Sequence, residues 1–261
     1  MDYEVSRKVW DAKVPVEITL ESEELADPVR PYYTMLSRCS YFTFVLPKAV
    51  QMFSTNCPNL SIDLDNVWLE YNRMPLKTYF PIGVLFDLLK EDESLPWRIS
   101  LRTKNKPEGL STVNRDMTQT MFMQAVKEAD YLKRKGDMIN CMKSDDHKQL
   151  WSALSQNQFD AFWSINRKLM ECSDSRPFLL LPIRLYERGK SFKQAPIQPT
   201  TSGHPTTLEE AIKILDSDID YNDAKFICHG IQIPLDTPVL WMTRNFAYPD
   251  NFVHMCLERK R

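Results

Sequence analysis

Few residues in this chain stand in patterns that could do chemistry. Its six cysteines (Cys39, Cys57, Cys141, Cys172, Cys228, Cys256) lie far apart with no C-x-x-C pair. The four histidines lack H-x-x-x-H spacing, and none joins a cysteine in a zinc-like pattern. No metal site is expected. His229 follows Cys228 and invites a nucleophile-and-base reading. Adjacent residues of a strand face opposite sides of a sheet, so these side chains are expected to diverge and to be structural. Six dispersed glycines build no phosphate-cradling loop, which argues against common nucleotide chemistry. The reading names no catalytic residue and no cofactor.

Lysine amines remain. "FMQAVKEADYLKRK" (residues 122–135) reads as helix. With about 100° of rotation per residue and Lys127 set at zero, Thr118, Met121, Phe122, Ala125, Ala129 and Leu132 fall between roughly 120° and 220°. Lys127 should point into solvent, whereas Lys133 falls towards the apolar side. An outward amine is either a solubilising charge or a point of attachment. Most of the 33 basic residues must be ordinary, so geometry alone favours the first.

Composition sets the frame for that helix. A chain of 261 residues that is 43% hydrophobic and 11% aromatic is built to fold and can hold two or three compact units. A net charge of -2 gives no overall field towards nucleic acid or anionic lipid. The N-terminus "MDYEVSRKVW" has no apolar leader core, and the longest apolar stretch, "FLLLPI", is too short to cross a bilayer. Scattered cysteines and the missing leader suggest a reducing cytosol with free thiols.

The first third alternates strand and helix. "VPVEITLES" (14–22), "YFTFVL" (41–46), "VWLEY" and "RISLR" read as strands, and "PKAVQMF" as a proline-started helix. From about Thr112 to Cys172 the pattern is helical. Gly136 is expected to end one helix, and Ser155 with Gln158 suggests a capping box for the last. In that helix Phe159, Phe162, Trp163, Asn166, Leu169 and Met170 form one broad apolar face. Core packing is the favoured reading, and a groove for a partner's amphipathic helix is the other. The final third returns to strands, "FLLLPIRLYE", "AKFICHG" and "NFVHMCLER", with one helix at "TLEEAIKIL" capped by Thr207 and Glu210. "SFKQAPIQPTTSGHPTT" is expected to include a loop.

The two strand-rich thirds echo each other. "MPLKTYFPIGVLFDLL" and "IPLDTPVLWMTRNF" share an apolar residue, Pro-Leu, a second proline, Val-Leu and an aromatic. Each follows a strand and precedes one that opens on an aromatic. The order strand, strand, helix, strands, short helix, strand in both suggests an α+β chain with two ubiquitin-like β-grasp domains flanking a helix-rich domain. The boundaries expected are 1–106, 107–175 and 176–261. A ubiquitin-like modifier that is itself transferred needs a slim glycine tail, and "CLERKR" is not one. An acceptor or scaffold is expected instead.

Seven blocks in one order resemble autophagy protein 5: "PYYTMLSRCSYFTFV", "PIGVLFDLL", "LPWRI", "KEADYLK", "DHKQLW", "FDAFWSINRKLME" and "YPDNFVH". The likeness fades over 54–66, 104–118 and 188–206, and nothing is carried over there. The resemblance implies that a lysine of the helical region accepts the C-terminal glycine of autophagy protein 12 through an isopeptide bond. The "KEADYLK" block puts that role on Lys127. It also implies binding of the N-terminal helix of autophagy protein 16, and an E3-like stimulation of autophagy protein 8 transfer from its E2 to phosphatidylethanolamine. Met123, Asp130, Tyr131 and Arg134 share the outward face on the wheel and are candidates for an E2-docking edge, against the reading of a solvated surface. A non-catalytic cytoplasmic scaffold recruited to the phagophore membrane follows. Two alternatives are a membrane-binding module using Arg259, Lys260 and Arg261, and a thioester-forming E2-like enzyme. The apolar settings of Cys228 and Cys256 weigh against the enzyme.

Overall fold

A computed structural model of the chain describes residues 2–21, 29–90, 92, 94–110, 114–173 and 175–259. Ser22, Thr112, Lys260 and Arg261, which the sequence reading used, lie outside them. The chain divides into two compact units, residues 12–119 and residues 1–11 with 120–261.

Helix α1 (Tyr3–Asp11) opens the chain and belongs to the second unit. Asp2 starts it, its Oδ1 accepting the amides of Glu4 (2.9 Å) and Val5 (3.2 Å). The 12–119 unit then runs β1 (Lys13–Glu21), β2 (Tyr32–Ser37), α2 (Leu46–Asn56), β3 (Trp68–Tyr71), β4 (Met74–Pro75), α3 (Ile82–Leu89) and β5 (Trp97–Arg102). Its five-stranded sheet has the order β2-β1-β5-β3-β4, with β1 and β5 parallel at the centre. In β1 the buried residues are Val14, Val16, Ile18 and Leu20, the alternation of a strand with one face on the core. The two helices cover that face through Ala49, Phe53, Ile82 and Leu85, and Trp97 is fully enclosed. "YFTFVL" is not a strand. Phe42–Phe44 is a 3-10 turn leading into α2, whose proline sits at the helix start. Burial of Phe42 against Trp97, with ring centroids 6.0 Å apart, outweighs the β propensity of the segment.

After α1 the second unit continues with α4 (Arg115–Arg134), α5 (Asp137–Cys141), α6 (Ser144–Ser155) and α7 (Phe159–Met170). They are followed by β6 (Ile183–Glu187), β7 (Thr200–Thr201), β8 (His204–Pro205), α8 (Leu208–Leu215), β9 (Ala224–Cys228), β10 (Ile231–Gln232), α9 (Val239–Asn245) and β11 (Val253–Arg259). Residues of α4 from Thr120 onward belong to this unit. Its main sheet has the order β10-β9-β11-β6, again with a parallel pair, β6 and β11, but here with β6 at the edge. Read outwards from the first strand, this is the order of the other sheet with the second strand reduced. That strand survives as two isolated bridges, Leu185 with Lys193 and Leu181 with Ile197. Pro196 lies between them and has no amide to give a continuous ladder.

The capping box of α8 forms as expected: Glu210 donates its amide to Thr207 Oγ1, and its carboxylate accepts the Thr207 amide. The one expected for the last helix of the bundle does not. Ser155 ends α6 and bonds back to the Ser152 carbonyl, while Gln158 precedes α7 without a side-chain cap. The aromatic face of α7 is covered within the chain: Trp10 of α1 packs on Phe162 (5.0 Å) and Phe159 (5.7 Å), and Tyr3 on Phe159 (5.3 Å). The Phe159 and Phe162 end of this face thus packs on the protein's own α1.

Candidate acceptor site

The site is built on the C-terminal half of α4. Gly136 ends this helix as its spacing predicts. Lys135 and Gly136 take positive φ (56° and 86°), and their amides bond to the carbonyls of Tyr131 (2.7 Å) and Asp130 (3.3 Å). The carbonyls of Leu132 and Lys133 accept the amides of Leu180 (3.1 Å) and Leu179 (2.8 Å), so the helix end is tied to the segment leading into β6.

On this fixed cylinder Lys127 is exposed, and its side chain joins no hydrogen bond or ion pair among the described residues. Its neighbour Glu128 is exposed too but held. One carboxylate oxygen accepts from Arg184 Nη2 (2.8 Å) and the other from Gln194 Nε2 (2.7 Å). Arg184 is itself seated over the Phe252 ring at 3.7 Å.

Two of the four residues expected to flank Lys127 on an outward docking edge are not on the surface. Asp130 is 0% and Arg134 7% exposed. Asp130 Oδ2 accepts the amides of Met138 (3.0 Å) and Ile139 (2.9 Å) at the start of α5, and Oδ1 lies 3.4 Å from Arg134 Nη1. Arg134 also donates to the Leu169 carbonyl and stacks over Phe178 at 5.0 Å. The buried side of α4 is thus turned towards Val126 and Asp130, because polar groups are buried wherever neighbouring backbone satisfies them. An apolar-residue wheel is blind to this. Tyr131, 65% exposed, and Met123, half-buried, remain beside Lys127.

Lys133 is buried, as its position on the wheel suggests. Its Nζ donates to the Leu169 carbonyl (2.7 Å) and Asn251 Oδ1 (2.8 Å), and Asn251 in turn donates to Asn166 (2.8 Å). These contacts join α4, α7 and the turn before β11. Burial pushes the Lys133 amine down to about 7, against an opposing pull from Asp130.

Cys228 and Cys256 are 0% and 1% exposed, poor settings for a thiolate that must meet a carrier protein. Cys228 and His229 do not diverge as expected. His229 has left β9 with φ 53°, and both side chains approach the Phe246 carbonyl, His229 Nε2 at 3.0 Å and Cys228 Sγ at 4.0 Å. A shared carbonyl makes the pair structural all the same. No group of three or more metal-ligating side chains occurs among the described residues, and no described helix is long and apolar enough to cross a membrane.

Three family models match in order along the chain. "Autophagy protein ATG5, UblA domain" covers residues 9–103, "Autophagy protein ATG5, alpha-helical bundle region" 115–172, and "Autophagy protein ATG5, UblB domain" 180–257. Autophagy-related protein 5 of Caenorhabditis elegans is 40% identical, with 98% of each chain covered. This chain belongs to the autophagy protein 5 family. Autophagy protein 5 of Drosophila melanogaster is 32% identical over 99% of this chain and 98% of its own. The crystal structure of Kluyveromyces marxianus Atg5 is similar with a TM-score of 0.83, covering 98% of this chain and 100% of that one. At 20% identity it speaks for the fold. Family membership places the protein in autophagy, with UblA and UblB domains on either side of the helical bundle region in the sequence.

Proposed function

We propose that this protein is the acceptor of autophagy protein 12, joined to it by an isopeptide bond at Lys127. The exposed and unpaired Lys127 amine on a helix fixed at its end is the observation that carries this reading. The step is acyl transfer. The Lys127 nitrogen bonds to the carbonyl carbon of the glycine thioester, the carbon–sulfur bond breaks, the E2 thiolate leaves, and the amine proton passes to water or a base of the E2. An ordinary lysine amine is neutral about once in several thousand encounters at pH 7, so the E2 supplies desolvation and proton removal. Such a bulky carrier needs an open approach, and Tyr131 and Met123 are the remaining candidates for its docking edge.

In this reading the chain is not itself an enzyme. It binds the N-terminal helix of autophagy protein 16, and the conjugate acts in an E3-like manner on transfer of autophagy protein 8 to phosphatidylethanolamine. It works in the cytoplasm and is recruited to the phagophore membrane. Lys127→Arg keeps the charge and the helix propensity but removes the nucleophile. In a reconstituted reaction with E1, E2 and autophagy protein 12 it should give no adduct stable to reductant, while binding to autophagy protein 16 persists. An undiminished adduct would refute the assignment.

A further inference from the structure

On a helix the side chains within reach of Lys127 are those three and four positions away: Met123, Gln124, Asp130 and Tyr131. Asp130 is the one acid among them. Lysine and aspartate at this spacing commonly form a surface ion pair, which favours the charged and non-nucleophilic amine. Here the pair is not made, because the first turn of α5 takes both Met138 and Ile139 amides to Asp130 Oδ2 and Arg134 approaches Oδ1. Glu128, the adjacent acid, is drawn off by Arg184 and Gln194 from the β6 side. The charged groups facing Asp130 are Arg134 and the buried Lys133, both on its own helix, while α5 meets it with backbone amides.

Resting on the acceptor reading above, we infer that the engagement of Asp130 by α5 keeps Lys127 free of an ion pair on its own helix. This capture withholds the one carboxylate that helix geometry would offer to Lys127, leaving the amine available to an acyl donor. Each of the two acids nearest Lys127 in the chain is committed elsewhere. The tight turn at Lys135 and Gly136 brings α5 back onto α4, so this turn holds an acid away from a residue two helical turns earlier. A Cβ on Gly136 would lie 3.2 Å from the Asn140 side chain, on a backbone already at φ 86°, so glycine suits the turn.

The test uses the full unconjugated chain and a small acyl donor, N-hydroxysuccinimidyl acetate, at limiting concentration and pH 7 to 8. Peptide mapping by mass spectrometry reads acetylation of Lys127 against the exposed Lys168. Gln124→Glu places an unengaged carboxylate three residues before Lys127 at an exposed position, and should slow its acetylation about twofold, an effect lost at high salt. Asp130→Asn keeps an acceptor for the α5 amides but removes the charge, and should leave the Lys127 rate in place. If Asp130→Asn speeds Lys127 twofold or more, the carboxylate pairs with the amine and the inference falls. It falls equally if Gln124→Glu has no effect, an arm that does not depend on a buried substitution. The readout contains neither E2 nor autophagy protein 12. An adduct persisting in Lys127→Arg would therefore sink the acceptor reading while leaving the acetylation result to be judged on its own.

Discussion

Lys127 and Lys133 share one helix, and the two sides of α4 that hold them follow different physics. Around Lys127 the surface carries a free amine, a phenol ring and a committed glutamate, and no described partner fixes the lysine. Lys133 itself is enclosed, and its amine is held by a carbonyl and an asparagine oxygen. One lysine stands open to solvent, and the other joins the helical layer to the turn before β11 in the same unit. The difference shows that charge type says little about role. What decides is whether the surrounding backbone can satisfy the charge.

The comparison can be broken at its buried end first. Lys133→Ala removes the donor to Leu169 and Asn251 and opens a cavity, and should cost about 3–5 kcal/mol in denaturant unfolding. Lys127→Ala should cost less than about 0.5 kcal/mol. Equal losses would erase the distinction. Protonation sharpens it. With its folded value depressed to about 7, Lys133 binds fewer protons folded than unfolded across the range up to the ordinary lysine value. Relative to Lys133→Met, its contribution is full above the unfolded value and lost as the pH falls through about 7. The wild type should therefore gain about 2 kcal/mol on the Met variant between pH 7 and 9. A flat difference would mean that the amine is not buried as a titrating group. The smallest effect separates neighbours: Asp130→Ala strips the α5 amides of their acceptor and should cost about 1–2 kcal/mol, whereas exposed Tyr131→Ala should change stability by less than about 0.5 kcal/mol.

Much of the fold was legible in local patterns. The alternation of Val14, Val16, Ile18 and Leu20, the Thr207 and Glu210 box, and the glycine stop at Gly136 are each determined within a few residues of chain. The echo between "MPLKTYFPIGVLF" and "IPLDTPVLW" falls at comparable places in both units: β4 and α3 in one, the segment just after β10 and the start of α9 in the other. Leu76, just after β4, and Ile233, just after β10, donate their amides back to Leu69 of β3 and Phe226 of β9. Less legible was α1, a helix of nine residues whose one buried side chain, Trp10, packs on Phe159 and Phe162. The Asp2 cap and the amphipathic period of residues 3–11 were the local signals that could have found it. Ser155 and Gln158 had the spacing of a box, but the turn between α6 and α7 used neither side chain for it.

Sequence alone determined the outward placement of Lys127, because a helical period and a run of apolar residues suffice to choose a face. It also determined the two ubiquitin-like halves, since their strand and helix order is written in turns and alternation. Only the tertiary structure decided that Asp130 and Arg134 are enclosed while Tyr131 is not, and that α1 fills the aromatic face of α7. Those outcomes depend on which distant backbone amides, carbonyls and rings arrive beside each side chain. A polar residue is as readily buried as exposed once its hydrogen bonds are met, and no local pattern records where the partners come from.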